Sequence, residues 1–265
     1  MPTIKIVKAN AKTSLLNKWP AAIGIGSILL SVFCIHIILL NVFATLLNGA
    51  LNTFSANLIS FVLTVITLPF FAMPLLYGAL RWFWFTANDA DVPISEIFCF
   101  FSSGSEYLRA LSLSFRIFFR IACILVLCFS PSIIIWLVRH PQTYDILNFA
   151  MPYWTSSMWV LGNIFTYFGA TLSIILLLRY FAAPVLMIND RTLSPQEALD
   201  LSVIISKSAN GRTFSFLLSF FGWGLLSLLI LPMIYTLPYF LASYAVYCRF
   251  LINHYNRVVA KHTLV

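Results

Sequence analysis

From Pro20 to Leu47 the chain carries no Asp, Glu, Lys or Arg. A bilayer hydrocarbon core about 30 Å thick is crossed by about 20 apolar helical residues, so this run is long enough to span it. It is too long for a signal-peptide core, and no small-residue cleavage pattern follows, which predicts a retained span. Runs of the same kind recur near 58–80, 111–138, 158–188, 214–231 and 234–252. Inside a bilayer every backbone polar group must find an internal partner, which leaves helices as the form these runs can take. The expectation is an all-α polytopic membrane helix bundle with about six transmembrane helices and short interfacial amphipathic helices. One membrane domain, 20–253, lies between a basic N-terminal helix, 1–19, and a short basic tail, 254–265.

The rest of the composition agrees. Residues are 61% hydrophobic and only 9% charged, against about 25% charged in a soluble domain. Mean hydropathy is +0.93. The net charge of +8 does not point to nucleic acid, because the basic residues sit mostly beside apolar runs, where orientation signals and lipid-phosphate contacts are found. The five cysteines (Cys34, Cys99, Cys123, Cys128, Cys248) show no paired spacing and read as small hydrophobes in a reduced setting.

Residues 3–19 place Ile4, Val7, Ala11, Leu15 and Trp19 at steps of three or four, with Lys5, Lys8, Lys12 and Lys18 mostly elsewhere. This predicts a basic amphipathic helix lying on an anionic leaflet, with Trp19 at headgroup level. In the first span His36 has no acidic partner within the membrane, so it reads as a hydrogen-bonded structural histidine. Pro69 and Pro74 in the second span predict kinks and freed carbonyls, and Arg81-Trp82-Phe83-Trp84 ends it as an interfacial anchor. After the acidic turn at Asp89 and Asp91, Ile94, Ile97, Phe98 and Phe101 predict a short helix with one apolar face. The two aspartates read as a solvated turn in preference to a metal site. Pro131 is expected to bend the third span, and Pro184 to break or tilt the fourth.

Ser194-Pro195-Gln196-Glu197 is a helix start. The serine hydroxyl can accept from the Glu197 N–H, Glu197 can accept from the Ser194 N–H, and proline suits the first helical position. Leu199, Val203 and Ile204 form a short stripe, and Asn210-Gly211 is expected to end the helix. Lys and Arg cluster at the N-terminus, in 81–109, in 189–212 and at the C-terminus, while 48–57 and 232–238 hold none and 139–157 holds only Arg139. The positive-inside rule then places both termini in the cytoplasm.

Three blocks resemble a known family. They are AKTSLLNKWPAAIG; PLLYGALRWFWF followed by ISEIFCFFSSGSEYLRAL; and the EAL, NGR and LSFFGWGLL sequence followed by Leu237-Pro238-Tyr239 and Tyr247. In this order they resemble a family of bacterial integral-membrane proteins catalogued as domain of unknown function 975. The resemblance implies a multi-span protein of the bacterial cytoplasmic membrane and no particular reaction. The distance from Gly211 to Ser219 is about one helical turn shorter than that pattern, and 129–178 is outside it.

No HExxH, Gly-rich phosphate loop or GxSxG occurs, and the acids lie outside the spans. The chain therefore reads as a non-enzyme with no catalytic, cofactor or metal residues. One constellation stands out: Arg116, Arg120, Arg179 and Arg249 all fall toward the cytoplasmic ends of spans. Unpaired cations there cost a few kcal/mol each, so they either reach inner-leaflet headgroups singly or converge on an anion such as a lipid phosphate. The partner expected is the bilayer, with its anionic inner-leaflet lipids. The function expected is that of an accessory, scaffold or lipid-contacting envelope protein, with a small-solute or lipid transporter or channel component as the alternative.

Overall fold

The computed structural model describes residues 3–48, 53–139, 155–227 and 229–262. Of the loop expected at 48–57, 49–52 lie outside them while 53–57 already belong to a helix; of that expected at 139–157, 140–154 lie outside, with Asp145 and Tyr153-Trp154, as do 263–265. The described residues are helical, without a strand. In order they form α1 (Ile4–Ser14), α2 (Trp19–Asn48), α3 (Thr53–Ala87), a 3-10 helix (Ile94–Phe101), α4 (Gly104–Arg139), α5 (Thr155–Leu177), a 3-10 turn (Leu178–Tyr180), α6 (Ala183–Asn189), α7 (Pro195–Lys207), α8 (Asn210–Leu218), α9 (Phe221–Leu226) and α10 (Ile230–His262).

Among the described residues four helical stretches are long and apolar enough to cross a membrane: Trp19–Leu46, Ser55–Ala87, Gly104–Leu137 and Trp159–Asn189. They match the first four spans expected. The fifth expected span takes another form. Residues 214–231 do not make one helix, because α8 and α9 are nine and six residues long and separated at Ser219-Phe220. Phe216 and Phe220 bury against Tyr247 and Tyr239, with ring centroids 4.7 and 5.5 Å apart, and tie this segment to α10. α10 contains the sixth expected span, yet residues 241–248 are buried without interruption. Over these eight residues the helix is enclosed on every face by its neighbours. α10 packs against α1, α2, α3, α7 and α9.

The molecule thus has a base and two projecting hairpins. The base has α10 at its centre and is completed by α1, the first turns of α2, Leu75–Ala87 of α3, the 3-10 helix, the start of α4, and α6 to α9. The hairpins are α2 on α3 and α4 on α5. Their outer parts expose Ile38, Leu39, Phe61, Phe119, Leu127 and Phe168, side chains suited to lipid. From Ile121 to Leu137, past its last contact with α7 at Arg120, α4 extends on the order of 24 Å beyond the base.

Two of the carbonyls freed by prolines have side-chain partners. Pro74 cannot donate to the Phe70 carbonyl, and the Tyr107 hydroxyl does so at 3.1 Å. Pro131 frees the Leu127 carbonyl, which accepts from Ser130 Oγ at 3.0 Å. Pro184 opens α6, after the break at 178–182.

Three local expectations need correction. The apolar stripe of α1 does not meet lipid: Val7, Ala11 and Leu15 are buried in the core, and α1 packs on α10. In the segment after Pro93 the buried residues are Ile97 and Phe100, whereas Ile94, Phe98 and Phe101 are exposed. The helix is 3-10, so its faces repeat every three residues instead of 3.6. Asn210-Gly211 opens α8 instead of ending α7, which stops at Lys207 without a left-handed glycine.

Candidate functional site at the charged base

The cations and acids of the base meet mainly where α4 passes the elbow between α6 and α7. The elbow is built from its own sequence. Ser194 Oγ accepts from the Glu197 N–H at 3.2 Å, and Glu197 Oε2 accepts from the Ser194 N–H at 2.7 Å, so both halves of the expected capping box form. The Ser194 N–H holds the Glu197 carboxyl below its ordinary pKa. Asp190 Oδ1 accepts from the Thr192 hydroxyl at 2.6 Å and the Thr192 N–H at 2.8 Å, and its pKa is lowered likewise. Arg109 then fixes this turn onto α4. Its guanidinium donates to the carbonyls of Met187, Asp190 and Leu193 at 3.3, 2.9 and 2.8 Å. This role of Arg109 leaves no mark in the sequence, because its acceptors are backbone carbonyls that no side-chain pattern records.

Arg116 and Arg120 continue the same face of α4. Arg116 donates to Gln196 Oε1, and Arg120 lies 3.0 Å from Asp200 Oδ1. Four residues separate the partners on each helix, so two turns of α4 meet two turns of α7 side by side. Arg120 also sits 5.5 Å from the centre of the Tyr180 ring. The acid that pairs with Arg120 is thus supplied by the surface helix and not from within a span. Arg179 belongs to the same neighbourhood through its backbone, since its carbonyl accepts from Ser202 Oγ of α7 at 2.8 Å. Its Nε is buried without a hydrogen-bond partner among the described residues. Arg249 has a different partner on a different helix pair: it donates to the Ala87 carbonyl at the end of α3. The structure therefore brings Arg116, Arg120 and the Arg179 backbone to α7, and gives Arg249 the role of closing α3.

Other pairs tie the base together. Lys18 lies 3.0 Å from Asp91, and Asp89 occupies a left-handed turn. Buried Arg81 Nε lies 2.8 Å from Glu96, on the wall of an open cleft of about 760 Å³ that Arg191 and Glu106 also line. No group of three or more His, Cys, Asp or Glu among the described residues is placed to hold a metal ion. In the first hairpin His36 Nε2 is 3.3 Å from the Thr67 hydroxyl, the hydrogen-bonded histidine expected.

An all-α protein with four membrane-length helices and a charged base is the class these features define. No family model matches the chain, and no curated protein or solved structure matches it either.

Proposed function

We propose that the chain is a non-enzymatic multi-pass protein of the bacterial cytoplasmic membrane, with its base and both termini on the cytoplasmic side, acting as an accessory or scaffold protein that contacts anionic inner-leaflet lipids. The family resemblance belongs to the same proposal. One observation carries it. All Asp, Glu, Lys and Arg residues except Arg139 and Asp145 fall in 5–18, 81–120 and 179–261, the segments that build the base or adjoin it. An apolar pair of hairpins under an excess of cations suits a protein seated with its base against an anionic leaflet. Among the cations of the α4–α7 rim, Arg116, exposed and held by a neutral glutamine, and Arg179 have no carboxylate partner among the described residues, which leaves them for phosphate.

Labelling with a membrane-impermeant maleimide tests the orientation. Ser103→Cys in the base is expected to react only after cells are permeabilised, and Gln142→Cys in the α4–α5 loop to react in intact cells. The reverse pattern would sink the proposal. A second reading, a transporter or channel component, draws on a polar cleft of about 220 Å³ beside Ser132, Asn163 and Thr166 between α4 and α5. A solute flux that Asn163→Leu abolishes would establish it instead.

A further inference from the structure

One flank of α1 carries Lys8 and Lys12 onto aromatic rings, Phe220 between α8 and α9 and Tyr239 of α10. Lys8 Nζ is 4.1 Å from the centre of the Phe220 ring and donates to the Ser219 carbonyl at 2.7 Å. Lys12 Nζ is 5.8 Å from the Tyr239 ring, and Phe220 and Tyr239 lie 5.5 Å apart. The aromatic floor continues through Trp223 and Tyr235 to Trp19, which stacks on Tyr235 at 4.8 Å. Trp19 opens the first spanning helix, so this floor stands at headgroup level, where Trp and Tyr are enriched. Neither lysine has a carboxylate partner among the described residues. Burial also holds the Lys8 ammonium below its ordinary pKa, a cost that a bound anion would offset.

Phe220 is at the same time a wall of an open apolar pocket of about 270 Å³ between α8, α9 and α10, lined also by Leu217, Met233, Leu237 and Phe240. The two hydroxyls in its lining are already used: Ser227 Oγ donates to the Trp223 carbonyl at 2.8 Å and Thr236 Oγ1 to the Pro232 carbonyl at 2.9 Å. Nothing in that wall calls for water. Phe221, Leu225 and Leu226 beside it are exposed, so this edge of the base meets hydrocarbon. The volume is at the low end for a ligand pocket and suits part of one chain better than a whole lipid.

We propose that this edge is a binding site for one anionic phospholipid, its phosphate held by Lys8 and Lys12 across Phe220 and Tyr239 and one acyl chain lying in the pocket behind Phe220. The proposal rests on the base facing an anionic leaflet, and its own readout is separate. Full-length protein is exchanged into mixed vesicles of phosphatidylglycerol and phosphatidylcholine, extracted in mild detergent and weighed by native mass spectrometry. One phosphatidylglycerol is expected to be retained. Lys8→Gln/Lys12→Gln, which keeps a donor for Ser219 and removes the charge, is expected to lower retention about fivefold per lysine. Gly224→Leu is the second variant. A Cβ at Gly224, on the pocket wall, meets no atom within 4 Å, so the fold accepts it while the side chain occupies the pocket. It is expected to abolish retention with both lysines present. Equal retention of the two lipids, retention unchanged in both variants, or a dimer in place of bound lipid that Gly224→Leu abolishes would each overturn the proposal. The leaflet reading fails on maleimide labelling, and the site fails on retained lipid.

Discussion

The two halves of α3 contrast most sharply. Its last turns bury Tyr77, Ala79, Leu80, Trp82, Phe83, Trp84 and Ala87, while its first turns leave Leu58, Phe61, Val62 and Phe71 exposed. Composition does not separate them, since both are apolar. What differs is the surrounding medium. In the base, apolar area removed from water contributes roughly 25 cal/mol per Å². Between lipid tails a leucine gains little by meeting another leucine, so the hairpins hold through close backbone approach and a few hydroxyl pairs. Gly169 of α5 lies against the Cys128 carbonyl, and Ser132 Oγ is 2.6 Å from Thr166 Oγ1. The base is a packed solid, whereas each hairpin is a pair of rods joined at a seam.

Close packing against backbone gives the largest effect that can test this contrast. A Cβ at Gly78 would sit 1.9 Å from the Ile97 carbonyl oxygen, and at Gly169 2.4 Å from that of Cys128. Both substitutions force helices apart. In the base that opens a core on several sides, so Gly78→Ala is expected to cost about 3 kcal/mol and to lower the thermal midpoint in detergent clearly. Gly169→Ala should cost about 1 kcal/mol, because two rods can separate without exposing anything to water. Its signature is reduced disulfide trapping between Ser132→Cys and Thr166→Cys. Equal losses of thermal midpoint would mean that base and hairpins melt as one unit, and the contrast would fail.

Tyr107 stands at the boundary. Tyr107→Phe leaves the Phe70 carbonyl, freed by Pro74, without its donor, at an expected cost of about 1–2 kcal/mol. Phe70 also meets Phe115 edge-on at 5.5 Å, so this contact joins the first hairpin to the second. Tyr107→Phe combined with Pro74→Ala should recover most of the loss, since the alanine N–H can reach Phe70. A loss that persists in the double variant would assign the tyrosine a different role.

Weaker still is the α4–α7 ladder. Arg120 and Asp200 are both partly exposed, so a double-mutant cycle with Arg120→Ala and Asp200→Ala is expected to give a coupling of about 0.5 kcal/mol. A coupling above about 2 kcal/mol would show the pair to be shielded from solvent and would move the bilayer boundary over the elbow.

The first four spans were legible because length and apolarity decide them. The start of α7 was legible because a capping box is a local device, complete within four residues. The base was not. Residues 234–252 are apolar, but hydropathy cannot tell that 241–248 are enclosed in the core that Val7, Ala11, Phe216 and Trp82 share. The same holds for the arginines. Position placed Arg116, Arg120, Arg179 and Arg249 at span ends, but Gln196, Asp200 and the Ala87 carbonyl come from segments far away in sequence. The sequence places Lys8 and Lys12 off the apolar stripe of an interfacial helix, and only the folded chain puts aromatic rings under them.

The smallest expected effect concerns acid. The Glu197 carboxyl is held below its ordinary pKa by the Ser194 N–H, and that of Asp190 by the Thr192 hydroxyl and N–H. A depressed folded pKa means a contribution fully present above the unfolded value, about 4 for these groups, and lost as pH falls through the folded value. Thermal midpoints should therefore hold between pH 7 and about 5 and then decline, as the turn leading into α7 loses its acceptors. Glu197→Gln keeps an acceptor for the Ser194 N–H but does not titrate, so its decline should be shallower. The outer parts of α4 and α5 carry no acid among the described residues. Disulfide trapping between Ser132→Cys and Thr166→Cys should therefore not change over the same range, once corrected for thiol reactivity. If that trapping falls together with the thermal midpoint, the elbow controls the hairpin above it, and the two regions are mechanically coupled through Arg109 and Arg120.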